Sequence, residues 1–148
     1  MTARLSPAEA HARLSAEPEL TYIDVRAVGE FVQGRPLGKV INVPVAFLHP
    51  VSGAQVPNAD FVHIVKTLLG EAPAVLIGGG ADERQASAAA QLEAAGVPGV
   101  AVVEGGLDAW RAALLPTTRD NREGVSYVSL LMKVRRGDKA AKKSHAAH

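Results

Sequence analysis

Short, largely apolar runs alternate with amphipathic segments along most of this chain. The apolar runs cover residues 20–25, 40–43, 74–77 and 100–103, and such runs are typical of strands that are buried on both faces of a sheet. Helical periodicity predicts the intervening elements, which lie at residues 6–15, 27–33, 59–69, 82–95 and 107–114. Strands that alternate with helices in this way predict an α/β domain with a parallel sheet.

Caps and turn residues set the boundaries of these elements. Ser6, Pro7 and Glu9 form a capping-box sequence at the start of the first helix, and Asn58 is the predicted N-cap of the third. Residues 45–58 contain two prolines and one glycine, which predicts a mostly irregular segment between the second strand and that helix.

The length of 148 residues fits one ordinary domain. The composition, with 47% hydrophobic and 21% charged residues, is typical of a globular protein with its own core. We expect the domain to span residues 1–118. Residues 119–148 are expected to be a linker and a basic, partly disordered C-terminal extension. Within that extension, residues 125–134 fit either a short strand or a helix that packs back on the domain.

Charge is distributed unevenly, although the net charge is only +1. Residues 133–148 contain six Lys or Arg and one Asp, so this segment carries +5 and the rest of the chain −4. The basic end fits contact with an acidic partner, an anionic lipid or a nucleic acid, and equally a solubilising tail. No aromatic residue follows Tyr127, which argues against specific nucleic-acid recognition.

Chemistry that needs a cysteine of the chain's own is excluded, because the sequence contains none. Disulfides, thiolate metal sites and a persulfide on this chain are therefore ruled out. The five histidines show no spacing typical of a metal site, so neither a metal nor a cofactor is predicted. The first residues do not resemble a signal peptide and no run approaches about 20 apolar residues, so the expected location is cytoplasmic, without a membrane span.

Four local motifs follow one another along the chain. Asp24-Val25-Arg26 precedes Glu30-Phe31, and residues 34–44 read GRPLGKVINVP. Residues 75–92 combine a strand, a Gly-rich loop and an Ala-rich helix, and residues 104–110 read EGGLDAW. Together they resemble the rhodanese homology domain, whose patterns include D-V-R-x-x-x-E-F, G-H-x-x-G-A-x-N-I-P and G-G-x-x-A-W. The likeness spans roughly residues 5–116, and the order and spacing of the motifs make it specific where each motif alone is weak.

The resemblance implies a single rhodanese-like α/β domain with a central, roughly five-stranded parallel sheet flanked by helices. It also implies a ligand pocket at the loop that follows the third predicted strand. In active members this loop looks like C-x-x-G-x-R-S, and its cysteine thiolate takes a sulfane sulfur from thiosulfate or a similar donor. Aligning Arg84 with the family's arginine places Gly79 at the cysteine position, whereas aligning from the strand end places Gly78 there.

Further departures from the family pattern surround the missing cysteine. Asp82 replaces a glycine, Gln85 a serine, Arg35 a histidine and Lys39 a small residue. Acidic residues at a helix N-terminus stabilise the helix but compete with an incoming anion. The residues expected to form the ligand-binding loop are Gly78, Gly79, Gly80, Ala81, Asp82, Glu83 and Arg84. The residues expected to support the pocket are Asp24, Arg26 and Arg35, and no catalytic residue is assigned.

Three functions remain open from the sequence. The first is a catalytically inactive rhodanese-like module that binds a small anion or a protein partner, in sulfur-related or regulatory interactions. The second is a sulfurtransferase-type enzyme whose thiol comes from a partner or a small molecule. The third is a structural or dimerising domain with residues 125–134 as its contact. An alternative without any ligand is also open. In it the glycine run is a relic turn, and Asp82 and Glu83 only cap the next helix.

Overall fold

The computed structural model describes residues 2–80 and 83–146, with the backbone alone at residue 123 and at residues 140–146. Ser6 caps the first helix through the predicted capping box, in which its Oγ accepts from the Glu9 amide and the Glu9 carboxylate accepts from the Ser6 amide. In chain order the elements are β1 (Ala3–Leu5), α1 (Pro7–Ala16), β2 (Thr21–Asp24), α2 (Val28–Phe31), β3 (Arg35–Pro36), β4 (Val40–Asn42), β5 (Ala46–Leu48), β6 (Gln55–Pro57), α3 (Phe61–Leu69), β7 (Val75–Gly78), α4 (Glu83–Ala94), β8 (Val100–Val103), α5 (Gly106–Ala112), β9 (Thr117–Thr118), a 3₁₀ turn (Asn121–Glu123) and α6 (Tyr127–Ala146).

A five-stranded parallel sheet forms the centre of the fold, with the strand order β1-β8-β7-β2-β4. This confirms the predicted α/β architecture of a parallel sheet flanked by helices. In the register of the sheet, Asp24 at the end of β2 lies opposite Gly78 on β7 and Asn42 on β4. The carboxyl ends of three neighbouring strands therefore meet at one edge of the sheet, which is where parallel α/β sheets bind ligands.

Alternate residues of each strand enter two separate cores, one on each face of the sheet. Ile23 and Ile77 pack on one face with buried residues of α3, α4 and α6. Tyr22 and Leu76 pack on the other face with buried residues of α1 and α5, including Trp110. Burial on both faces explains why the central strands have no regular alternation of polar and apolar residues.

The sequence did not predict strand β1. It is three residues long, its first two residues are exposed, and it pairs only with β8 at the edge of the sheet. A strand of this kind has little apolar pattern of its own, because only one of its residues is packed against the rest of the domain. Its position there completes the five strands that the family resemblance implied.

The prediction that residues 45–58 are mostly irregular was wrong in part. Strands β5 and β6 form an antiparallel hairpin in this segment, in which Phe47 lies opposite Val56. The predicted cap at Asn58 was also misplaced, because helix α3 begins at Phe61. The Asn58 side chain instead accepts from the Asp60 amide at 3.1 Å and donates to the Pro44 carbonyl at 2.9 Å, so it joins the base of the hairpin to the start of the helix.

The C-terminal part of the chain packs on the domain as a helix. Strand β9 pairs with β3 directly before the predicted linker, and residues 125–134, for which the sequence left strand or helix open, include the start of helix α6. Tyr127 and Val134 are buried in the core shared with α3. The helix continues to Ala146 through a segment for which composition predicts disorder, since Ala and Lys favour helices. A domain end near residue 118 stays a prediction.

No helix among residues 2–80 and 83–146 combines the length and the apolar character that crossing a membrane would require.

Candidate functional site

Two adjoining cavities lie beside the carboxyl ends of β2 and β7. The loop cavity, of about 280 Å³, is lined by Gly79, Gly80 and Arg84 together with residues that precede or lie in α5. The side cavity, of about 620 Å³, extends from it past Gly34 to Arg119. Both cavities are lined by Arg26, Glu30, Leu107 and Arg111, so they form one continuous cleft.

The buried ion pair of Asp24 and Arg26 forms the floor of the cleft. Arg26 Nη2 donates to Asp24 Oδ2 at 2.7 Å, and the Arg26 amide donates to Oδ1 at 3.1 Å. Arg26 Nη2 also donates to the Gly34 carbonyl at 2.8 Å, which ties the loop after α2 to the end of β2. Burial raises the pKa of the Asp24 carboxyl, and the hydrogen bonds from Arg26 oppose that shift. Through Arg26, the pair thus holds the loop after α2 against the end of β2.

Arg84 is positioned by a carboxylate from a different part of the chain. Its guanidinium donates two hydrogen bonds to Glu30, at 2.5 Å and 3.1 Å, and its side chain is largely buried. The same Glu30 carboxylate accepts from the Ala27 amide and so closes the first turn of α2. Hydrogen bonding from Arg84 lowers the pKa of Glu30. The bidentate bond fixes the plane of the guanidinium at the wall of the loop cavity.

The space of a side chain at residue 78 or 79 is already occupied. A Cβ atom at Gly78 would overlap the Tyr22 hydroxyl, and a Cβ atom at Gly79 would overlap the Asp24 carboxylate. Gly79 also has φ +99°, a conformation that residues with a side chain rarely adopt. The two glycines therefore make room for polar groups of β2, and any side chain at 79 would point toward Asp24.

The two possible cysteine positions differ in their relation to the cleft. Gly78 is the last residue of β7, whereas Gly79 follows the strand and lines the loop cavity. This placement favours Gly79 as the position that corresponds to the family's cysteine. The Gly79 carbonyl accepts from the Leu107 amide at 3.0 Å, which holds the loop against the start of α5.

Two cations of the cleft have no partner within the described residues. The side chains of Arg111 and Arg119 make no hydrogen bond or ion pair there, in contrast to Arg26 and Arg84. Arg111 crosses directly over Gly34, where an added Cβ would lie 2.5 Å from its Nη2 atom. Among the described residues the cleft therefore contains two cations without a partner, and the carboxylates of Glu30 and Asp108 also line it.

The remaining predicted site residues lie elsewhere or outside the described chain. Arg35 is buried, donates to the Asp120 carbonyl at 2.7 Å and lies over the Phe31 ring, so it supports the segment after β9 and does not line the cleft. Glu83 is exposed at the start of α4. Ala81 and Asp82 are outside the described residues.

Sequence reasoning missed three residues that shape the cleft, namely Glu30, Arg111 and Arg119. Glu30 belongs to the first family-like motif, but nothing in the sequence pairs it with Arg84, 54 positions away. Arg111 follows the last motif directly, which was the available signal for it. Arg119 lies in the predicted linker. Its position beside the cleft depends on the pairing of β9 with β3, which the sequence did not indicate.

The arrangement suits the binding of an anion more than proton transfer or metal chemistry. No group of three His, Asp or Glu side chains that could hold a metal ion occurs in the part of the chain that the structure describes. Ser87, a residue of α4, is exposed and accepts from the Gln91 side chain, which is not a base. Guanidinium groups that converge on glycine backbone favour a carboxylate, a phosphate or an oxyanion of sulfur.

Comparison with known sequences identifies the same family that the four motifs resemble. The profile described as Rhodanese-like domain matches residues 6–113. "Thiosulfate sulfurtransferase 16, chloroplastic" from Arabidopsis thaliana is 34% identical over 96 residues, which cover 65% of this chain and 78% of that protein. "Thiosulfate sulfurtransferase 18" from the same plant is 33% identical over 103 residues, which cover 69% of this chain and 74% of that protein.

Solved structures show the same fold. A rhodanese-like domain from Anabaena matches with a TM-score of 0.63 and 26% identity, over 82% of this chain and 84% of the other. The polysulfide-sulfur transferase homodimer from Wolinella succinogenes matches with a TM-score of 0.61 and 24% identity, over 82% of each chain. The second likeness supports the fold alone.

Proposed function

This chain belongs to the rhodanese-like domain family, and we propose that it is a member without catalysis of its own, which binds a small anion or an acidic group of a partner in the cleft. The observation that carries the proposal is that Arg111 and Arg119 line this cleft without partners in the described residues. The related Arabidopsis proteins are named as thiosulfate sulfurtransferases, so an oxyanion of sulfur is the first ligand to consider.

The sequence and the loop both support the proposed lack of catalysis by the chain's own residues. The chain has no cysteine, so it cannot carry a persulfide. At Gly79 the backbone conformation and the Asp24 carboxylate leave no room for a substitute nucleophile. Retained binding is supported by Arg111 and Arg119, which line the cleft without a partner among the described residues.

Isothermal titration calorimetry with thiosulfate, sulfate and phosphate at low ionic strength tests the binding. We expect Arg111→Gln to weaken the binding of the preferred anion about tenfold, because one charge-assisted hydrogen bond is lost. The matched control is Arg13→Gln, which removes an arginine whose partner is the exposed Glu17 carboxylate. Absence of heat with all three anions, or equal loss of affinity in the control, would contradict the proposal.

A second candidate is sulfur transfer with an external thiol, and the continuity of the two cavities favours it. A donor such as thiosulfate would occupy the loop cavity, and an anionic thiol would occupy the side cavity beside Arg111 and Arg119. The thiolate would attack the sulfane sulfur, the sulfur–sulfur bond of thiosulfate would break, and sulfite would leave with the electron pair. The arginines would lower the repulsion between the two anions.

Steady-state kinetics separate this candidate from pure binding. Glutathione should raise sulfite release from thiosulfate well above the heat-killed control, and the two substrates should give intersecting double-reciprocal plots, since no covalent protein intermediate forms. Purified protein with cyanide as the acceptor should form no thiocyanate. If glutathione does not increase sulfite release, the sulfur-transfer candidate is contradicted and the binding proposal is the one that remains.

The third function, a dimerising domain with residues 125–134 as its contact, stays a prediction. Tyr127, Leu130 and Val134 of this segment are buried in the domain, whereas Val128 and Met132 are exposed. A cytoplasmic location stays a prediction, since the name of one relative places it in the chloroplast.

A further inference from the structure

Exposed apolar side chains are concentrated on one part of the molecule. Six of the eight large hydrophobic side chains that are exposed among the described residues lie on the β5–β6 hairpin or on α6. Val51 at the tip of the hairpin is 90% exposed, and Val128 on α6 is 59% exposed. We call this set the hairpin–helix surface, and its members are Phe47, Leu48, Val51, Val56, Val128 and Met132. Clusters of this kind mark interaction sites.

Packing at the base of the hairpin joins the two parts of this surface. The Phe47 ring lies 5.9 Å from the Tyr127 ring, in the first turn of α6. Asn58 Nδ2 donates to the Tyr127 hydroxyl at 3.4 Å and to the Pro44 carbonyl at 2.9 Å. The hairpin and the start of the helix are therefore held next to each other, with Val128 directly after the shared tyrosine.

Basic residues continue the exposed face of α6 that begins with Val128 and Met132. Val128 and Met132 are four residues apart, and Arg135, Arg136 and Lys139 continue this spacing along one helical face, all of them exposed. The hairpin and the first part of α6 contain no acidic residue of their own, and Glu83 of α4 lines a cavity with Gln55 and Pro57 of β6. The sequence has no Asp or Glu from residue 31 to 59 or from residue 124 to 137, and Asp138 lies 3.2 Å from His63 on α3.

We propose that the hairpin–helix surface docks on an anionic membrane surface, with the hairpin tip in the interface and α6 along the headgroups. Apolar side chains beside a row of Lys and Arg are the combination that binds such membranes. A second copy fits less well, because two copies paired through this surface would bring the basic rows of both α6 helices into one interface, where like charges repel. A nucleic acid would use the cations but would leave the apolar hairpin exposed.

Co-sedimentation of the full chain with lipid vesicles tests this proposal. We expect binding to phosphatidylcholine vesicles that contain about a third phosphatidylglycerol, and none to phosphatidylcholine alone. Arg135→Gln with Arg136→Gln should weaken binding about 30-fold, from about fivefold for each cation near the membrane. Val51→Asp should weaken it about tenfold through loss of apolar contact, and its exposure makes an effect on folding negligible.

Matched controls separate docking from a general effect of charge or polarity. Leu114→Asp changes a leucine that is 93% exposed but lies at the end of α5, and Arg4→Gln with Arg13→Gln removes two cations from β1 and α1. Both controls should bind like the unmodified protein. The proposal is overturned if anionic vesicles are not bound, if random-sequence duplex DNA binds as tightly with no effect of Val51→Asp, or if light scattering shows a dimer that Val51→Asp dissociates.

Discussion

Gly79→Cys, which introduces a cysteine at the position that we propose for the family's nucleophile, is expected to destabilise the protein and to gain no thiosulfate sulfurtransferase activity. The free energy of unfolding should fall by about 2–5 kcal/mol, from a side chain at positive φ and from its overlap with the buried Asp24 carboxylate. Urea unfolding measures the loss, and thiocyanate formation from thiosulfate and cyanide measures the activity.

A glycine with the same conformation but open surroundings isolates the steric part of this effect. Gly96 has φ +82°, and nothing lies within 4 Å of the position that a Cβ atom would occupy there, so Gly96→Cys should cost only about 1–2 kcal/mol. A stable Gly79→Cys protein that forms thiocyanate would show that the loop can return to the conformation of active members, and that the space around Gly79 does not prevent catalysis.

Arg26→Met should lower the free energy of unfolding by about 3–5 kcal/mol, the largest effect that we expect from a single substitution. The change leaves the Asp24 carboxylate buried without its cation, and an uncompensated buried charge is costly. Asp24→Asn in the same background should recover at least about 2 kcal/mol, because a neutral amide removes that charge. Urea unfolding of both single variants and the double variant gives the coupling energy.

The penalty of Arg26→Met should also depend on pH. Burial raises the pKa of Asp24, and loss of Arg26 removes the hydrogen bonds that oppose this shift. A carboxyl whose pKa is higher in the folded state than in the unfolded state binds its proton more tightly when folded, so stability falls as pH rises. The deficit should therefore be smaller near about pH 5 than near about pH 7.

The exposed pair of Arg13 and Glu17 provides the control for Arg26→Met. Its ions are only 2.7 Å apart but both side chains reach solvent, so Arg13→Met should cost less than about 1 kcal/mol. Equal losses for Arg13→Met and Arg26→Met would contradict the assignment of Asp24 and Arg26 as a pair whose energy depends on burial.

The elements that the sequence predicted well are those with strong local signals. Ser6 and Glu9 form the predicted capping box, and the apolar runs that were predicted as strands became β2, β4, β7 and β8 of the five-stranded sheet. The missed elements are β1, the β5–β6 hairpin and the two-residue strands β3 and β9, all of which are short. Their pairing depends on partners elsewhere in the chain, so their own residues carry little pattern.

The candidate site was predicted in part for the same reason. Asp24, Arg26 and the loop at Gly79 follow buried strands, and parallel strands bring their carboxyl ends together. Glu30 as the partner of Arg84, and Arg119 beside the cleft, depend on contacts between segments that are far apart in sequence. No local pattern encodes such contacts, because they arise only when the loops pack on the sheet.

The sequence by itself determined the α/β class, the family resemblance and the absence of a persulfide, since these depend on periodicity, motif order and the lack of any cysteine. Only the tertiary structure decided what occupies the place of the missing nucleophile. Tyr22 and Asp24 fill the space beside Gly78 and Gly79, while Arg111 and Arg119 line the cleft without a partner among the described residues. The physical reason is that free volume and charge pairing belong to side chains from separate segments, which converge only in the folded chain.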